Sequence, residues 1–243
     1  MQELSNNLIE KYASQYESMD TQWRYLGGKQ KSSNIIRLCK SINKDKILDV
    51  GSGDGSVLEF LDKVDFSKQI NSIEISDSGI KRIKERNLKN LNEVKLFDGY
   101  KIPYNDKEFN LSLCSHVVEH VEHPRTLLRE IARVSEYQFF EIPIDFSFFV
   151  DTKIKHYLDY GHINIYTPSL FKFLLKSEGF EIIDEDFLFT SSELIDFQFK
   201  KSPFKAFKQK FKNCIVSITP YKKVKPSAYA VLCKHNGKNL AIL

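Results

Sequence analysis

Along the chain, short runs of β-branched and aliphatic residues alternate with longer stretches in which apolar residues return every three or four positions. The first pattern predicts buried strands and the second amphipathic helices. Lys46–Val50 (KILDV) predicts a first strand and residues 56–64 the helix after it. Residues 70–75 (INSIEI) predict a second strand, and Ser76, Asp77 and Ser78 are placed to cap a helix over 79–86. Residues 93–97 and 109–114 predict strands three and four. Pro124–Val134 puts Leu127, Leu128, Ile131 and Val134 on one helical face, and residues 137–142 predict strand five. A helix over 169–177 would end at Gly179, and residues 180–189 and 228–234 bring the strands to seven. Strands alternating with helices predict an α/β fold with a doubly wound sheet. The stretch 143–166 is irregular, aromatic-rich and too long for a plain connection, which marks it as functional. Residues before Lys46 predict helices laid over the sheet, with Trp23, Arg24 and Tyr25 placed to cover the mouth of a site.

Composition narrows the class. Hydrophobic residues at 42% and charged residues at 28% are ordinary for a globular protein, and 243 residues bury a sizeable core. No apolar run approaches the roughly 18 residues that cross a bilayer, and the polar start MQELSNNLIEKY is unlike a secretory signal. The expected location is cytoplasmic. Cys39, Cys114, Cys214 and Cys233 form no C-x-x-C pair, which argues against a zinc ribbon or a disulfide framework. A net charge of +4 gives no case for DNA binding and little for RNA. The excess is local: six lysines between Lys200 and Lys212 surround Phe204, Phe207 and Phe211 at helical spacing. This basic helix near 203–212 reads either as a surface helix whose aromatic face caps the core or as a weak contact with a membrane or anionic partner.

The densest chemistry lies after the first strand, in Asp49-Val-Gly51-Ser-Gly53-Asp-Gly55. Glycines there let backbone approach a ligand closely. The nicotinamide fingerprint G-x-G-x-x-G needs glycine at position 56, where this chain has Ser56. ILDVGSGDGSVLEFL instead resembles motif I of the class I S-adenosylmethionine (SAM)-dependent methyltransferases, of the small-molecule, type 11-like branch. That resemblance implies a Rossmann-like seven-stranded sheet, mostly parallel with its last strand antiparallel, and helices on both faces. It implies SAM as cofactor and S-adenosylhomocysteine as product. Asp49, Gly51, Ser52, Gly53 and Gly55 would hold the methionine part. Glu74, closing the second strand with Ile75 beside it, would accept hydrogen bonds from the ribose hydroxyls. Asp98 and Gly99, after the third strand, would contact adenine, and Ser115 would stand beside the methyl donor.

Residues 109–124 resemble the same family's motif IV region, with Asn110 where aspartate is common. His116, Glu119 and His120 are three and four apart, so a helical turn would gather them. Three readings stay open. His116 or His120 is a general base; the group binds a divalent metal, with His162 as a fourth ligand, as some family members do; or Glu119 and His120 cap and orient the turn. GHINIYTPSLFKFLL, with His162 and Tyr166, resembles an acceptor-lining segment of this branch. The family's usual P-G-G turn before strand five is replaced by Val134-Ser-Glu-Tyr137.

The expectation is therefore a single SAM-dependent methyltransferase domain over 1–243, with a helical cover over about 1–45 and acceptor-pocket or lid insertions near 143–168 and 195–225. Its reaction would move a methyl group to an oxygen or nitrogen of a small molecule, with His116, His120 or His162 as activating residues and no metal. A sugar or phosphate-containing metabolite of surface-glycan assembly is the acceptor class this branch suggests. The rivals are an RNA or quinone-type methyltransferase with a divalent metal, a noncatalytic SAM-binding protein, and a nicotinamide-dependent oxidoreductase.

Overall fold

The computed structural model describes residues 21–147 and 150–238, so the first 20 residues of the expected N-terminal cover lie outside the described part. Seven strands form one sheet: β1 (Lys46–Val50), β2 (Gln69–Glu74), β3 (Leu91–Leu96), β4 (Phe109–Ser115), β5 (Ser135–Pro143), β6 (Phe180–Leu188) and β7 (Ala228–His235). Their spatial order is β3-β2-β1-β4-β5-β7-β6. β1 to β5 pair in parallel, whereas β7 is antiparallel to both β5 and β6. The helices are α1 (Thr21–Leu38), α2 (Ser56–Lys63), α3 (Asp77–Glu85), α4 (Pro124–Val134), α5 (Ile154–Tyr160), α6 (Pro168–Ser177), α7 (Ser192–Gln198) and α8 (Pro203–Ile218). The seven-stranded Rossmann-like architecture expected from the sequence is the one observed.

Strand residues alternate between two cores, as a period of two requires. In β1, Ile47 packs with Ile35, Leu58 and Ile83 from α1, α2 and α3 on one face. Its neighbour Leu48 packs with Leu127, Ile131 and Phe171 from α4 and α6 on the other. Helix starts follow local chemistry: Ser76 accepts from Gly79 N at α3, and Thr167 accepts from Leu170 N ahead of Pro168 at α6. α1 reaches the sheet by passing close over α2, where a Cβ on Gly28 would come within 2.7 Å of the Ser56 Cβ.

Two expectations need correction. The stretch 143–166 is not irregular throughout, because a 3-10 turn (Val150–Lys153) runs into α5, which Gly161 ends in the left-handed conformation. The aromatic face of α8 does not cap the core. Ala206 is its only buried residue among those described, while Phe204, Phe207 and Phe211 are exposed.

Candidate active site

The carboxyl edge of a doubly wound sheet, at the point where strand order reverses, is where such folds bind ligands. Here that point lies between β1 and β4, and it opens into a cleft of about 650 Å³. Asp49, Gly51, Ser52, Gly53, Glu74 and Ile75 form one side of its wall. Gly99, Ser115, His116, His120 and His162 belong to the same wall. Two expected residues do not. Gly55 faces Ile83 and Arg86 instead, and Asp98 is exposed, its Oδ1 accepting from Tyr100 N and Lys101 N in a tight turn. Phe97 and Gly99 supply the wall there. Of the proposed cover, Trp23 and Arg24 reach the cleft, whereas Tyr25 packs on Phe60 with ring centroids 4.9 Å apart.

The glycine loop is held by the acid it precedes. Glu74, only 2% exposed, accepts from Gly53 N through Oε2 (2.8 Å) and from Ser76 N through Oε1 (3.1 Å). Both carboxylate oxygens are thereby oriented, each with a lone pair left for a further donor. Burial outweighs these bonds and pushes the Glu74 pKa up to about 7. Asp49 is likewise pushed up to about 7, by burial and then by the Glu74 charge, against which Lys31 acts. Gly51 has φ 73°, and a Cβ there would stand 2.5 Å from Val117 Cγ2, so only glycine lets the loop lie against the β4 turn.

The opposite side gathers residues distant in sequence. After β4 the chain turns sharply at His116 (φ 56°) and enters a 3-10 turn over Val118–His120. The helical turn expected to gather His116, Glu119 and His120 is thus a 3-10 turn, and the three side chains meet at it. The Glu119 carbonyl accepts from Ile163 N and Asn164 N, each at 3.0 Å, and Asn164 Nδ2 donates to Val121 O. These bonds seat the loop after α5 on the turn and bring His162 to His120, with ring centroids 4.8 Å apart.

Each histidine has one nitrogen engaged. His162 Nδ1 is 2.5 Å from Asp145 Oδ2, His120 Nδ1 is 3.0 Å from the Gly161 carbonyl, and His116 Nε2 is 3.2 Å from Glu141 Oε1. The acceptors fix the tautomers, so Nε2 of His162, Nε2 of His120 and Nδ1 of His116 carry lone pairs in the neutral rings. Burial lowers the pKa of His116 to about 4 and that of His120 to about 3, which keeps both neutral. Between these lone pairs lies Glu119, 1% exposed, with Oε1 3.7 Å from both His116 Nδ1 and His120 Nε2. Neither Glu119 oxygen has a hydrogen-bond partner, and burial pushes its pKa up to about 7. A buried carboxyl whose two oxygens lack hydrogen-bond partners calls for a proton or a cation. Glu119, His120 and His162 each offer a ligand atom within 4.8 Å of the others. The Ser115 Oγ is also buried without a hydrogen-bond partner.

Sequence reading missed Asp145, Glu141 and Lys31. Glu141 was signalled by an acid inside the otherwise apolar strand YQFFEI, and Asp145 by its place just past the carboxyl end of β5. Lys31, on the polar helix α1, carried no signal.

Residues 48–136 match a family profile described as a methyltransferase domain. YrhH of Bacillus subtilis, itself named a methyltransferase, is 32% identical over 119 residues, covering 46% of this chain and 66% of that protein. The demethylmenaquinone methyltransferase of Thermotoga maritima is 24% identical over 198 residues, covering 71% and 82% of the two chains. Among solved structures, geranyl diphosphate C-methyltransferase from Streptomyces coelicolor, in complex with Mg2+, geranyl-S-thiolodiphosphate and S-adenosylhomocysteine, superposes with a TM-score of 0.63. Its identity is 10%, with 85% of this chain and 76% of that chain covered. Residues 48–136 form a methyltransferase domain, and these likenesses support a class I SAM-dependent methyltransferase. SAM is the cofactor of this methyltransferase, and its glycine loop and Glu74 lie inside the matched span. Asp145, Lys31 and His162 lie outside it, whereas His116, Glu119 and His120 lie inside.

Proposed function

We propose that the protein transfers the methyl group of SAM to an oxygen or nitrogen nucleophile of a small molecule, with His162 as the base that takes the acceptor's proton. The observation that carries this reading is the Asp145–His162 pair, which shares one cleft with Glu74 and the glycine loop. When bound, SAM supplies an electrophilic methyl group whose bonding electrons leave with sulfur. Glu74 accepts from both ribose hydroxyls, and Asp49 and Lys31 meet the ammonium and carboxylate of the methionine end. His162 Nε2 receives the acceptor proton while Asp145 holds Nδ1–H and stabilises the imidazolium. His116 and His120 stay neutral and shape the acceptor wall. Trp23, Tyr157 and Tyr160 add aromatic faces to the cleft, which supports a ring-bearing acceptor such as a sugar of surface-glycan assembly.

A second reading rests on the unpartnered Glu119. A divalent cation held by Glu119 Oε1 and the Nε2 atoms of His120 and His162 fits the donor set. Each histidine already gives its other N–H to a carbonyl or carboxylate, as metal ligands do. The cation would orient the acceptor oxygen and lower its pKa, and His162 would then be a ligand instead of a base.

The test is transfer from tritium-labelled SAM to a panel of sugars, phosphate esters and quinol precursors, with Asp145→Asn and Glu119→Gln variants and with chelator. Transfer lost in Asp145→Asn but indifferent to chelator supports the base. Loss with chelator and recovery with Mn2+ supports the metal. SAM bound by calorimetry with no transfer to any acceptor would favour a noncatalytic SAM-binding protein.

A further inference from the structure

Helix α8 is amphipathic in the reverse of the usual sense. It lies against the protein through its small and polar side: Ala206 is buried, Gln209 and Asn213 are half-buried, and Asn213 Nδ2 donates to the Thr190 carbonyl. The opposite side, spaced three and four apart, is Phe204, Phe207, Phe211, Ile215 and Ile218. All five are exposed, Phe207 at 65% and Ile218 at 80%. The stripe continues past the helix through exposed Tyr221 and Val224. The Phe207 and Phe211 rings stack on one another at 6.3 Å. A surface helix normally turns such a stripe inward. A contiguous apolar strip of this kind on a globular protein marks a contact surface.

Charge decides what the contact is. Residues 197–227 carry nine lysines and no acid. Lys205, Lys208 and Lys212 run along one flank of the stripe, and Lys210, paired with Asp196, stands on the other. The Lys208 ammonium stands 4.5 Å from the Phe204 ring centroid, which puts a positive charge at the edge of the apolar strip. An isologous pairing of two copies through this face would set the lysines of each against those of the other. Nucleic acid would match the charge, but Ile215 and Ile218 offer no planar face for a base to stack on. Aromatic and aliphatic side chains in line, rimmed by lysines, match a bilayer interface with acidic headgroups.

We infer that α8 is a docking helix for an anionic phospholipid surface, its Phe–Ile stripe inserted at the headgroup boundary and its lysines paired with phosphate groups. The placement bears on the cleft. α8 lies on α7 and on the β6–α7 connection, whose Thr190, Leu194 and Gln198 belong to the cleft wall. A protein seated through α8 therefore has its catalytic cleft close to the bilayer. The inference stands on the helix alone and does not depend on which acceptor the cleft takes.

The experiment is co-flotation of the full chain with vesicles of phosphatidylglycerol and phosphatidylcholine in equal parts, against phosphatidylcholine alone. Phe207→Ser/Phe211→Ser and Lys205→Gln/Lys208→Gln/Lys212→Gln are the variants, with S-adenosylhomocysteine affinity measured alongside as the sign that each is folded. Binding to the acidic vesicles, at least about tenfold weaker in either variant and lost on phosphatidylcholine, is the expected result. Failure of the wild-type chain to float with acidic vesicles would overturn the inference. So would binding that the phenylalanine variant leaves unchanged, or a dimer in solution that this variant dissolves, since a second copy would then cover the stripe. Retention on single-stranded RNA that both variants abolish, without vesicle binding, would assign the surface to nucleic acid instead.

Discussion

The two sides of the cleft are built by opposite means. On the cofactor side, one loop and one acid about twenty residues apart satisfy each other: Glu74 orients Gly53 and Ser76, and both hydrogen bonds stay within the turns that follow β1 and β2. On the acceptor side, Glu119, His162 and Asp145 come from three separate connections, and Glu119 is left without a hydrogen-bond partner. The first side is pre-organised for a ligand that does not vary. The second holds its polar groups in an arrangement that a substrate, a proton or a cation has to complete. A fold keeps its cofactor chemistry in local backbone geometry and leaves its acceptor chemistry to long-range contacts, which change more freely.

The comparison breaks most sharply at Glu74. On the proposed ribose role, Glu74→Ala removes two charge-assisted hydrogen bonds worth about 3–4 kcal/mol in all, so S-adenosylhomocysteine affinity should fall by a few hundredfold. Calorimetry that finds micromolar binding in this variant removes the ribose role. The same residue sets a pH effect. Its folded pKa of about 7 lies above its unfolded value of about 4.5. Its contribution to stability is thus fully present below pH 4.5 and is lost as pH rises through 7. Relative to Glu74→Gln, the cofactor-free protein should lose up to about 3 kcal/mol between pH 4.5 and 7.5 in denaturant titrations. A difference between the two proteins that stays flat over that window would show that the carboxyl is not buried.

Gly51→Ala tests whether the two sides are mechanically joined, since Gly51 belongs to the cofactor loop and Val117 to the acceptor turn. The added Cβ costs about 2–3 kcal/mol, from the left-handed φ and the overlap with Val117 together. Val117→Ala on the same chain should recover part of that loss, and a double-mutant cycle with no coupling would separate the sides. The smallest effect is expected at Asp145→Asn. Methyl transfer falls about 10- to 100-fold at neutral pH, while S-adenosylhomocysteine affinity stays within about twofold. A matching loss of cofactor affinity would mean that Asp145 serves the whole cleft.

Legibility in the sequence follows the same division. Strands β1, β2 and β4 and helix α4 were plain because burial on both sheet faces gives unbroken apolar runs and a helical face repeats. Gly51, Gly53 and Glu74 were legible because their mutual geometry is set within one β-loop-α-β stretch. His116, His120 and His162 were found as residue types, but their arrangement was not. The left-handed turn at His116 and the two bonds to the Glu119 carbonyl are tertiary decisions that no spacing announces. Lys31 lay on a helix with no apolar period. For α8 the pattern was read correctly as amphipathic, and its orientation, which depends on what Ala206 and Asn213 find beneath them, was not.

The pairing of β6 with β7 has a consequence for the lineage of such proteins. Leu188 and Ala228 are register partners, so the ends of the intervening excursion, residues 189–227, are clamped together whatever that excursion contains. Extending a loop whose ends are already joined costs only a few tenths of a kcal/mol per added turn of chain. The sheet therefore tolerates exchange of α8, whereas Thr190, Leu194 and Gln198 tie α7 and its approach to the cleft wall. If α8 docks on lipid as inferred, that property can be exchanged with it by recombination while the glycine loop and Glu74, on β1 and β2, are inherited intact.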